Sequence, residues 1–70
     1  MNKIEVFECD AEAVICGEVY DVSLVKGPDS DDMCLVDVPQ GNGDFFERIA
    51  VVKDNIYPRT ERAISLLMGI

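Results

Sequence analysis

The chain has 70 residues, 49% of them hydrophobic, with fourteen Asp and Glu against six Lys and Arg, no His, and a formal net charge of -8. This apolar content excludes a disordered composition, and no apolar stretch is long enough to read as a membrane-spanning helix. The charge argues against broad binding to anionic membranes or nucleic-acid backbones, so neither a membrane partner nor direct duplex DNA binding is expected.

Ile4–Cys9 reads as a first strand, with Ile4 and Val6 on one face and Phe7 and Cys9 on the other. Asp10–Ala13 interrupts it as a turn or a single helical turn. Val14-Ile15-Cys16 then leads into a bend at Gly17-Glu18. Val19–Val25 is a strand with Tyr20, Val22 and Leu24 on one face and Asp21 and Ser23 on the wetter one. Lys26–Asp32 contains Gly27, Pro28 and three Asp, which favour a turn over a strand.

Met33–Val38 alternates again and is expected to end at Pro39. Asn42-Gly43 is a strong hairpin signal, because both positions tolerate positive φ. Phe45–Val52 resumes extended structure, and Lys53-Asp54-Asn55 forms the next turn. Ile56-Tyr57 adds a short strand or a 3₁₀ turn. Thr60 is placed to cap a helix over Glu61–Met68, with Glu61 in its first turn and Gly69 closing it. Ile64, Leu67 and Met68 fall on one side of that helix. It is too short to stand alone and should cover an open end of the sheet.

Short strands, tight turns and one terminal helix predict a mainly β chain in one domain, residues 1–70. The architecture expected is a small SH3-like barrel or a strongly bent antiparallel sheet with a short C-terminal helix; an OB-like barrel usually needs more chain. A domain this small buries roughly 60% of its unfolded surface, so its core should be thin. Cys9, Cys16 and Cys34 are odd in number and lack CxxC spacing. They read as reduced thiols serving as small hydrophobes in a cytoplasmic protein without an apolar leader.

The element Cys16-Gly17-Glu18-Val19-Tyr20-Asp21-Val22 resembles the Gly-x-x-Tyr-x-Val strand entry of small bacteriophage-encoded and bacterial SH3-like proteins. The resemblance covers residues 3–52. It implies a barrel in which Gly17 turns the chain, Tyr20 fills the core and Val22 continues its face. It also implies a phage origin, and hence the cytoplasm of a host. Many members of that group have no known activity, and phage genes of this size often encode inhibitors of host enzymes.

No nucleophile–base pairing, phosphate loop or complete metal motif is present, so no enzyme activity, cofactor or metal is expected. Asp29-Ser30-Asp31-Asp32 lacks the Gly and Glu of a calcium loop and reads as a solvated hairpin tip. The acidic excess points instead to protein binding. Asp21, Asp29, Asp31, Asp32, Asp37, Asp44 and Glu47 are the candidate contacts to a partner with a basic surface. That partner could be a nucleic-acid-handling protein whose basic groove the chain occupies as an inhibitor and DNA mimic. The other reading is a structural or assembly protein that acts through an apolar edge strand and the C-terminal helix, as a monomer or weak homodimer. Arg48, Lys53, Arg59 and Arg62 with Tyr57 could form a small RNA-binding patch, but the negative surroundings favour arginines that balance nearby carboxylates.

Overall fold

Period-two alternation of apolar side chains builds a single antiparallel sheet. A computed structural model of the protein describes residues 9–41 and 45–70. Its strands are β1 (Ala11–Ile15), β2 (Glu18–Lys26), β3 (Met33–Gln40), β4 (Phe45–Val52) and β5 (Ile56–Pro58), followed by helix α1 (Glu61–Met68). A 3₁₀ turn over Lys53–Asn55 links β4 to β5. The first four strands form a meander and β5 returns to pair with β1, giving the order β4-β3-β2-β1-β5. Among the described residues, β4 and β5 stand at the two ends of that order and do not pair with each other, so the sheet is open rather than a closed barrel.

The hairpin joining β1 to β2 is the tightest connection. Ile15 pairs with Glu18, and only Cys16 and Gly17 lie between them, at φ 53° and 82°. Positive φ at both positions is what a type I′ turn requires, and this turn matches the right-handed twist of the flanking strands. A register shift between Leu24 and Lys26 marks a bulge in the β2–β3 ladder. Such an irregularity increases local twist and bends the sheet.

The inner face carries the core. Val22 and Leu24 from β2, Cys34, Val36 and Val38 from β3, and Val51 from β4 are buried with Ala11, Ala13 and Ile56. Among the described residues, Leu24, Val22, Val36 and Cys34 are its largest fully buried side chains. Helix α1 covers one end through Ala63 and Leu67. Thr60 caps it by accepting a hydrogen bond from the Ala63 N–H at 3.1 Å, and Gly69 closes it at φ 74°.

Several expectations need correction. Asp10–Ala13 is not a turn: β1 starts at Ala11. Alanine has little β preference, which hid the strand, but Ala11 and Ala13 are fully buried where β1 sits between β2 and β5. Pro39 does not end β3, which runs to Gln40. The β2–β3 ladder stops at Ser23↔Asp37, so Pro39 faces a paired neighbour only on the β4 side, where it lies opposite Phe46.

Tyr20 lies on the expected face but does not fill the core. It stands beyond the covered part of the sheet, 37% exposed, and its hydroxyl donates to Glu18 at 3.0 Å. The buried stripe of α1 is Ala63 and Leu67, with Leu66 partly buried, whereas Ile64 and Met68 face outward. Cys34 is buried as expected, but Cys16 is exposed at the hairpin tip. Cys9 is not in a strand, and the rest of the strand expected over Ile4–Cys9 lies outside the described residues, as do Asn42-Gly43 and Asp44.

Candidate functional site

The expected acidic surface is divided by the fold. Asp29, Asp31 and Asp32 come together at the turn between β2 and β3 and are exposed. The Asp29 carboxylate accepts the backbone N–H groups of Asp31 and Met33 at 2.8 and 3.0 Å. These bonds hold its pKa below the usual carboxylate range. Asp32 adopts φ 62°, and its carbonyl accepts the Lys53 N–H at 2.7 Å, tying this turn to the end of β4.

The other candidates have partners or point elsewhere. Asp37 is buried, and Arg48, directly opposite on β4, grips it through Nε–Oδ1 at 2.8 Å and Nη2–Oδ2 at 3.2 Å. That bidentate contact raises the Arg48 pKa, through the hydrogen bond and then the charge of Asp37. Asp21 is exposed and meets Arg59 at 2.9 Å, while Glu12 lies 3.7 Å from the same guanidinium. Glu47 is exposed on β4, opposite Val38, on the inner side of the sheet.

A carboxylate outside that candidate set, Asp10, does structural work. It is buried just before β1, accepts the Leu24 N–H at 2.9 Å through Oδ1, and meets Arg62 of α1 through Oδ2. Arg62 also donates to the Leu24 carbonyl at 3.1 Å. This clasp completes the hydrogen bonding of β2 beyond the end of β1 and pins the helix to the sheet. Nothing in the local sequence marks the role, because Asp10 and Arg62 are 52 residues apart.

Three of the four basic residues once grouped with Tyr57 are therefore taken. Arg48, Arg59 and Arg62 each balance a carboxylate. Arg48 and Tyr57 lie on β4 and β5, which do not pair with each other among the described residues. Among the described residues, no helix is long and apolar enough to cross a membrane.

Apolar exposure concentrates elsewhere. Phe45 and Phe46, at the start of end strand β4, are 62% and 48% exposed. Next to them, at the end of the sheet that α1 does not cover, lies a cleft of about 280 Å³. Ile15, Tyr20, Val38, Gln40, Glu47 and Ile49 line it, so all four meander strands contribute. At the other end, Ile64, Met68 and Ile70 leave a second apolar strip on and just after α1. Aromatic residues at a strand start are visible in sequence; their exposure depends on β4 being last in the sheet order. Comparison with protein-family models, curated proteins and solved structures found no match to this chain.

Proposed function

We propose that this chain is an assembly module that binds another protein chain by adding a strand to β4, with the outer face of α1 as a second contact. The observation that carries this reading is the position of Phe45 and Phe46: large, exposed aromatics on a strand that ends the sheet order among the described residues. An end strand offers backbone donors and acceptors to an incoming strand, and aromatic side chains beside it supply apolar area. Eight residues, Phe45–Val52, give this edge ample length for pairing, and it contains no proline.

Kinship with small SH3-like proteins rests on the Gly17-x-x-Tyr20-x-Val22 element, in which Gly17 turns the chain between β1 and β2. Inhibition of a basic host protein through an acidic face has narrower support. Asp10, Asp21 and Asp37 already hold arginines, which leaves the turn at Asp29, Asp31 and Asp32 as its main acidic cluster among the described residues.

Capture of partners on the immobilised chain separates the two readings. Phe45→Lys plus Phe46→Lys should abolish capture of partners that cross-link to β4, while Asp29→Asn, Asp31→Asn and Asp32→Asn together should leave it intact. The reverse pattern would overturn strand addition in favour of the acidic reading.

A further inference from the structure

The inner face of β4 specifies the chemistry of the strand it accepts. Phe45, Glu47, Ile49 and Val51 alternate onto that face, where they pair with Gln40, Val38, Val36 and Cys34 of β3. Glu47 thus stands between two apolar side chains. It has no hydrogen bond or ion pair among the described residues, unlike Asp37 and Asp21. It also lines the uncovered cleft with Ile15, Tyr20, Val38 and Ile49, and Tyr20 brings Glu18 to the same end through their hydrogen bond. The site is an apolar cleft with carboxylates at its rim.

We infer that the strand added at β4 belongs to a basic partner and carries, on its inward side, an apolar, a Lys or Arg, and an apolar residue at alternate positions, with the cation opposite Glu47. This rests on strand addition as the mode of binding. Directly opposed residues on neighbouring strands interact most strongly, so a cation there gains the Glu47 charge while its neighbours at two residues either side meet Phe45 and Ile49. Aliphatic side chains extend from there toward Tyr20 and Ile15 in the cleft. A second copy of this chain is a poorer occupant, because each copy carries a net charge of -8 and the two repel at long range.

The test is a nuclear magnetic resonance titration of the full chain with two synthetic strand peptides. Both have Thr at outward positions and Val at the flanking inward positions. One has Lys and the other Glu at the central inward position. The Lys peptide should bind about fivefold more tightly at low salt, given the size of cross-strand charge pairs. Shifts should centre on Phe45–Val52, Tyr20 and Ile15, and Glu47→Lys should invert the preference. Circular dichroism of that variant checks that it folds.

Equal binding of both peptides at β4 would overturn the basic-partner inference and leave strand addition standing. The same holds if neither binds and the chain instead dimerises through β4. If neither binds and the chain stays monomeric, both the inference and strand addition fail.

Discussion

Gly27 lies against the carbonyl of Leu66: a Cβ placed on Gly27 would sit 2.1 Å from that oxygen. The backbone leaving β2 therefore passes so close to the last turn of α1 that a side chain would have to push the helix away. A backbone carbonyl has little freedom to yield. Gly27→Ala should act as overpacking and cost about 1–3 kcal/mol. Urea unfolding followed by circular dichroism should show the midpoint fall with the slope unchanged. An unchanged midpoint would mean that this contact is not maintained in solution.

The clasp between Asp10 and Arg62 predicts an asymmetry. Asp10→Ala strands the buried Leu24 N–H, at a cost of about 1–3 kcal/mol. Arg62→Ala should cost less, because the arginine side chain is 59% exposed and the Asp10 side chain only 12%. A double-mutant cycle by thermal unfolding measures the coupling. Equal costs for the two single variants would remove the central role assigned to Asp10.

Cys16 is a residue with a Cβ at φ 53°, in a turn that favours Asn, Asp or Gly at that position. Cys16→Asn should stabilise the chain by roughly 0.5–1 kcal/mol, the gain typical of fitting a residue to its backbone. Thermal unfolding checks it, with an expected rise of about 2–8 °C for a domain of this size. In the unaltered protein Cys16 should react first with a thiol reagent. Cys34 should react only on unfolding, because it is buried and desolvation raises its pKa.

Asp29 links stability to pH. Its folded-state pKa is lowered by the Met33 and Asp31 N–H groups, so its contribution is present above the unfolded value, about pH 4, and is lost as pH falls through the lower folded value. The stability difference between the native chain and Asp29→Asn should therefore be largest at neutral pH and shrink with acidification below about pH 4. Denaturant unfolding across this range measures it. A difference that grows on acidification would contradict the assignment.

Much of the framework was legible in the sequence because local rules governed it. Thr60, Glu61 and Gly69 bound α1, Lys53–Asn55 bends the chain, and Phe45–Val52 is a strand at the bounds its pattern predicts. Long-range partnerships decided the rest. Ala11 and Ala13 belong to a strand because β2 and β5 flank them. Asp37 is buried and held by Arg48 because register places the two opposite each other. Glu47 lines an apolar cleft, a setting that alternation along β4 alone does not reveal. The rotation of the buried helix stripe from Ile64 and Met68 toward Ala63 follows from the close approach at Gly27 and the Arg62 clasp, which together fix the helix face turned to the sheet.

Amide hydrogen exchange on the chain with its captured partner tests strand addition most directly. Each strand hydrogen bond formed on binding slows the exchange of the amide that donates it. Strand addition predicts new protection at alternate amides within Phe45–Val52, with little change at Asp29–Met33. Protection confined to the Asp29–Met33 turn, with β4 exchanging as in the free chain, would contradict it.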